Sequence, residues 1–204
     1  MPKLKTIDNF KSKLAQGGAR SNLFAIDLPE LPTGVKEALK GGSPEFKWEK
    51  ASKENLQLMC KAAQFPASNV GTVEVPFRGK VLKVAGDRIV DTWTITIIND
   101  ESYYIRYIME SWMQVMNNYN TAEGTSKISG NEIFTDAFVY QLDRSGTKSG
   151  AAYKFYDIWP SNISDIALSY DSTDTIEEFT VEFQVHRWES LETPKLENLS
   201  TDSN

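Results

Sequence analysis

His186 is the chain's single histidine, Cys60 its single cysteine, and acidic residues gather at Asp171, Asp174, Glu177 and Glu178. From such residue types a base, a nucleophile or a metal site is built. A histidine works as a general base when a nucleophile lies within hydrogen-bond reach and a third group orients the ring. No Ser or Cys motif partners His186, which falls mid-strand on the polar side of the alternation Phe179, Val181, Phe183, Val185 and reads as an exposed or interface residue. Gly79-Lys80 invites comparison with a phosphate loop, but that motif needs Gly five residues before its Gly-Lys pair and Ser or Thr after it, where Glu74 and Val81 stand. The acidic cluster fails as a calcium loop, because Thr173 holds the third position and Ile176 the sixth, which requires Gly. It reads as a solvated acidic turn. Cys60 alternates with Leu58 and Ala62 and is explained as a small buried hydrophobe, and with no CxxC or Cys/His cluster there is neither a disulfide nor a zinc site to expect. Trp93, Trp112, Trp159 and Trp188 sit in strand or helix patterns that packing alone produces, as does the helical stripe holding Met109, Met113 and Met116. The residues therefore predict no catalytic, cofactor or metal site: a binding or structural protein rather than an enzyme.

The elements that carry these residues follow from periodicity. The chain has 204 residues, is 40% hydrophobic and has a formal net charge of -6, which suits one folded domain and argues against a protein that wraps nucleic acid. A lone cysteine and no signal-like apolar run predict synthesis and folding in the cytosol, and no stretch approaches a membrane span. Phe24, Ile26 and Leu28 alternate as a half-buried strand. Glu30 to Lys53, rich in Gly and Pro, reads as an excursion outside the core with one helical turn at Val35 to Leu39. Leu56, Leu58, Cys60 and Ala62 predict a second strand running to Phe65-Pro66. Val73 to Phe77 and Val81 to Ala85 flank Arg78-Gly79 as a β-hairpin, with Pro76 confining its strand to an edge. Trp93 to Ile98 is another strand. Asp100 then caps a helix from Glu101 to about Tyr119, with Ile105, Ile108, Met109, Trp112 and Met116 on one face. After a loop at Asn120 to Asn131, short strands are expected at Thr135 to Leu142, Ala152 to Ile158, Ile166 to Tyr170 and Ile176 to Trp188. The fold class is mainly β, an antiparallel sandwich or barrel-like domain flanked by one α-helix. Residues 1–21 form an N-terminal segment, 22–189 the β domain with an insertion at 30–53, and 190–204 a flexible polar tail.

Six segments stand out in order: Asn22-Leu23-Phe24; Cys60-Lys61-Ala62 to Phe65-Pro66; Val84-Ala85-Gly86-Asp87-Arg88 with Asp91 and Trp93; Asn99-Asp100-Glu101; Trp159-Pro160 with Asn162; and Asp171-Ser172 through Ile176, Phe179 and Trp188. The ordered set resembles the tail-tube proteins of contractile-tailed bacteriophages, a family related to secretion-system tube proteins. The resemblance spans roughly Ala19 to Glu189 and departs at 30–53 and beyond 189. It implies a virion protein forming hexameric rings, each subunit giving strands to an inner β-barrel, stacked into a tube through which double-stranded DNA passes unread. Its partners would be further copies, the tail sheath protein, and the baseplate and terminator proteins. A baseplate-proximal tube initiator, a secretion-system tube and, in another class, a carbohydrate-binding β-sandwich are the competing readings.

Two sets of residues become candidates within this frame. Val73, Val75 and Phe77 alternate on one hairpin face and, with Arg78 at the turn, are expected to make inter-ring or inter-subunit contacts. From Asp157 to Glu182 the chain has seven acidic residues and no Lys or Arg. This region is either a solvated outer face or a wall of the lumen, and Glu182, mid-strand opposite the apolar side, is the lumen candidate.

Overall fold

The computed structural model describes residues 6–14, 17–40, 50–117 and 132–191. In chain order the elements are α1 (Ile7–Lys13), β1 (Phe24–Asp27), α2 (Thr33–Lys40), α3 (Lys50–Met59), β2 (Cys60–Ala63), β3 (Asn69–Phe77), β4 (Lys80–Ile89), β5 (Trp93–Ile98), α4 (Tyr104–Met116), β6 (Thr135–Leu142), β7 (Lys148–Ile163), β8 (Glu178–Gln184) and β9 (Arg187–Ser190). Seven strands make an open antiparallel sheet in the order β1-β6-β7-β8-β5-β2, with β9 also on β7, while β3 and β4 form a separate ribbon. The fold is mainly antiparallel β, as the periodicity predicts, but among the described residues no barrel closes.

β7 organises the sheet. Its first part pairs with β6 on one side and β9 on the other, and its last residues pair with β8. Between them lies a bulge at which Asp157 takes φ 52°, its N–H donating to Asp136 Oδ1. A bulge bends its strand, and the bend brings Trp93 of β5 over Phe155 of β7, ring centroids 4.6 Å apart. Phe179, Val181 and Phe183 of β8 and Ile95 and Ile97 of β5 fill the space between, all buried. Each such side chain contributes about 1.5–3 kcal/mol of burial.

α4 covers this core with Ile105, Ile108, Met109 and Trp112, and the Trp112 indole N–H donates to the Ile133 carbonyl at 2.8 Å. The helix begins at Tyr104 rather than Glu101. Asp100 still serves its start, its Oδ1 accepting from the Tyr104 N–H at 3.1 Å, but Tyr103 at φ 54° keeps the preceding residues out of the helix. The helix also ends earlier than the expected Tyr119, at Met116 with Asn117 extended; the loop Asn120 to Asn131 and most of the C-terminal tail lie outside the described residues.

Four expectations need correction. The stretch from Glu30 is not outside the core as far as it is described: Leu31 just before α2 and Val35 and Leu39 within it, spaced four apart, are buried, and α2 packs against α4, while residues 41–49 lie outside the described residues. Gly34 permits that approach, since a Cβ there would lie 2.8 Å from the Glu132 carbonyl oxygen. The strand expected from Leu56 is helix until Met59, with Leu56 buried and Leu58 exposed, and only Cys60–Ala63 is extended. No strand forms at Ile166 to Tyr170. Leu168 and Tyr170 lie exposed in a loop, because that stretch has no neighbouring strand to pair with. The last expected strand also divides: β8 starts at Glu178, and a corner at Val185-His186 turns the chain onto β7 as β9.

Candidate assembly surfaces

The ribbon of β3 and β4 follows from its sequence. Arg78 and Gly79 both take positive φ, 45° and 81°, as a two-residue turn matched to strand twist requires. The register sets Val73 opposite Val84, Val75 opposite Leu82 and Phe77 opposite Lys80. Directly opposed residues share a face, so Val73, Val75, Phe77, Leu82 and Val84 form one apolar face. All five are 44–66% exposed. The other face carries Thr72, Glu74, Pro76, Val81, Lys83 and Ala85, with Lys83 and Glu74 paired at 3.7 Å. The structure thus brings the predicted Val73, Val75 and Phe77 together and sets the Arg78 guanidinium 5.4 Å from the centre of the Phe77 ring at the tip. Leu82 and Val84 complete the face. Sequence reasoning placed them in the returning strand, and pairing register is the signal that assigns them to this side.

At its root the ribbon meets the body through few groups. Arg88 lies over Trp188 at 4.4 Å, and Asn69 Nδ2 donates to Asp91 Oδ2 at 2.6 Å. Gly71 and Gly86 cross there so closely that a Cβ on Gly86 would stand 3.1 Å from the Gly71 backbone. A two-stranded ribbon with both edges open and one apolar face bare is marginal by itself in water, and such patches mark interaction sites.

Glu182 sits in the middle strand of a different face. It opposes Thr94 on β5 and Asn162 on β7, and Thr96 and Thr180 form the next pair along. This half-buried face offers hydroxyl, amide and carboxylate groups, and Lys61 enters only at its margin, bridged to Glu178 at 2.6 Å. The remaining acids do not share one surface. Asp157 is at the bulge, Glu177 accepts from the Tyr103 hydroxyl at 2.8 Å, and Asp165, Asp171 and Asp174 line the exposed loop between β7 and β8. The Glu177 hydrogen bond raises the pKa of the Tyr103 hydroxyl. Among the described residues, no three acidic, thiol or imidazole groups converge as metal ligands, and no helix is long and apolar enough to cross a membrane.

Burial pushes the Cys60 thiol up to about 12, so it stays protonated and unreactive. His186 is exposed at the β8–β9 corner. Two features escaped the sequence reading. One is the tight turn after β6, where Asp143 Oδ1 accepts from the Ser145 hydroxyl and from the N–H groups of Ser145 and Thr147, which holds its carboxyl below the usual range. The run Asp143-Arg144-Ser145-Gly146 carries the turn signal that would have found it. The other is α1, which buries none of its residues and lies beside an open cleft of about 800 Å³ lined by Lys13, Arg20, Leu142 and Arg144.

The same architecture recurs in contractile injection machines. A chain of the PVC sheath-tube complex in its extended state superposes with a TM-score of 0.51 at 11% identity, covering 88% of this chain and 97% of that one. A chain of the anti-feeding prophage baseplate, 6-fold symmetrised, superposes with a TM-score of 0.54 at 9% identity, covering 85% and 95%. The fold is therefore shared with chains of these two assemblies. The sequence narrows the class: residues 19–191 match the model of the phage tail tube protein family, and the chain belongs to that family. It is similar to the tail tube protein gp19 of Enterobacteria phage T4, at 30% identity over 173 residues, 84% of this chain and 91% of that one. The matched residues leave α1 outside them.

Proposed function

We propose that six copies of this chain close into a ring, that the rings stack head to tail into the inner tail tube of a virion, and that the tube conducts double-stranded DNA during ejection. The observation that carries the reading is the bare apolar face of Val73, Val75, Phe77, Leu82 and Val84 on a ribbon with two unpaired edges. In a ring each ribbon is covered by the next subunit, and closing the circle removes the open edges that make lone β-ribbons aggregate. Rings of six are supported by the six-fold symmetry of the baseplate whose chain shares this fold. A stack grows by heterologous contacts, which propagate instead of closing.

The Glu182 face is the lumen wall in this reading. A wall of Thr94, Thr96, Asn162, Thr180 and Glu182 presents no cation to the phosphates, so duplex DNA with one charge per about 1.7 Å slides past without being held. The sheath protein would grip the outside, and baseplate and terminator proteins the two ends. Negative-stain microscopy of the purified protein at rising concentration tests the proposal, with rings and then tubes expected. Phe77→Asp should remain folded and fail to assemble. A wild-type chain that stays monomeric at every concentration, or Phe77→Asp tubes indistinguishable from wild type, would overturn it.

A further inference from the structure

Among the described residues, α1 and the loop between β7 and β8 also expose apolar side chains, and the two are complementary. Ile7, Phe10 and Leu14, spaced three and four apart, form one stripe along α1 and are 43–68% exposed. A helix of seven residues does not persist in water on its own propensity, and most helical stability comes from packing an apolar face. Among the described residues α1 buries none of its side chains. On the loop, Leu168, Tyr170 and Ile176 are each at least 69% exposed, so three large side chains are displayed with nothing against them.

Charge says which surface suits which. Residues 1–20 carry Lys3, Lys5, Lys11, Lys13 and Arg20 against the single acid Asp8. Residues 165–177 carry Asp165, Asp171, Asp174 and Glu177 with no cation. A basic, apolar arm and an acidic, apolar loop occur in one chain whose net charge is -6. Topology keeps them apart within a subunit. The arm leaves the body through Gly17 and Gly18, at φ 81° and 70°, beside Arg144 in the turn that precedes β7, whereas the loop follows the far end of β7. β7 is 16 residues long, so at about 3.3 Å per residue its ends can lie up to about 50 Å apart. An arm whose helix spans about 10 Å does not bridge that distance. In the stacked-ring reading, with β7 running along the stack, a second copy would present its loop at the end where the arm emerges.

We infer that α1 docks on the 164–177 loop of a second copy of this chain in the adjacent ring, Phe10 and Ile7 packing against Leu168, Tyr170 and Ile176 while Lys11 and Lys13 face Asp171 and Asp174. The inference rests on the stacked-ring reading and adds a contact outside the residues that match the tail tube family. It makes the two ends of the subunit chemically distinct, so rings join in one polarity only.

The test is a set of full-length variants studied by negative-stain microscopy and by pelleting to obtain the critical concentration for tubes. Phe10→Asp should keep the wild-type melting temperature, since nothing on α1 is buried, yet form rings that stack poorly, with a critical concentration raised about tenfold or more. Lys11→Glu/Lys13→Glu should weaken stacking, and combining it with Asp171→Lys/Asp174→Lys should restore it. Unchanged tubes from Phe10→Asp, or no rescue in the charge-swapped combination, would overturn the inference while leaving the tube reading intact. Loss of folding in Phe10→Asp would also overturn it, by showing that α1 is held within its own chain. A wild-type chain that forms no rings would overturn both readings.

Discussion

Leu82→Ala separates a docking face from a merely exposed strand. Leu82 is 62% exposed in the subunit and stands opposite Val75 at the centre of the apolar face. Full burial of a leucine is worth about 1.5–3 kcal/mol, so the part still open to water represents about 1–2 kcal/mol available to an interface. Truncation to alanine forfeits most of that at each contact, equivalent to a factor of about 5–30 in an equilibrium constant. The subunit itself should lose little, within about 0.5 kcal/mol, because the side chain has scarcely any packing to give up. Lys83→Ala is the internal control. It removes an exposed pair worth about 0–1 kcal/mol from the opposite face. Pelleting across a concentration series gives the critical concentration for tubes, and thermal unfolding of the unassembled protein gives the stability. If Leu82→Ala leaves the critical concentration unchanged, or Lys83→Ala raises it as much, the apolar face is not the docking face. If Leu82→Ala instead lowers the melting temperature like a core variant, the ribbon is packed within its own subunit.

Leu39→Ala should destabilise the subunit by about 2–5 kcal/mol in a denaturant titration, as removal of a buried leucine does; wild-type stability would return the segment after Glu30 to the surface. Cys60, with a folded pKa raised from 9.0 to about 12, favours the folded state's protonated form. The sign follows: its contribution is complete below pH 9 and is lost as pH rises from 9 towards 12. Cys60→Ala should flatten that alkaline decline in stability, and an equal slope in both proteins would refute the assignment. Glu182→Lys places a cation among Thr94, Asn162 and Thr180 and should slow DNA ejection from assembled particles more than it affects tube formation. Normal ejection kinetics would move Glu182 off the lumen wall.

What the sequence discloses depends on whether a segment's neighbours are local. The hairpin is legible because Val73, Val75 and Phe77 alternate beside a turn that Arg78-Gly79 can make, all within one short window. The helix at Tyr104–Met116 is legible through its repeating apolar positions, though Tyr103 delays its start in a way that propensity does not reveal. Leu56, Leu58 and Cys60 mislead because three apolar residues two apart fit a strand, while in fact a helix ends and a strand begins between Met59 and Cys60. The segment after Glu30 misleads in the opposite way: its prolines and glycines suggest surface, yet Leu31, Val35 and Leu39 share one side of a helical turn pattern. The apolar face of the ribbon is half legible, since Leu82 and Val84 join it only through a register that pairs residues across the turn. Nothing local marks Leu168 and Tyr170 as a loop, because whether an apolar run becomes a strand depends on the strand beside it.

The crossing of Gly71 and Gly86 at the ribbon root bears on timing. With no side chain on either glycine, and Arg88 on Trp188 as the main tether, little in the lone subunit fixes the direction in which the ribbon projects. Two free subunits that meet must each settle that direction at the moment of contact, losing conformational freedom for a single interface. In the proposed tube, a subunit arriving at a finished ring would meet a ribbon site already set and cover its own apolar face at once. Growth on an existing end would then be fast and spontaneous initiation slow, a kinetic lag that would reserve the chain for a template.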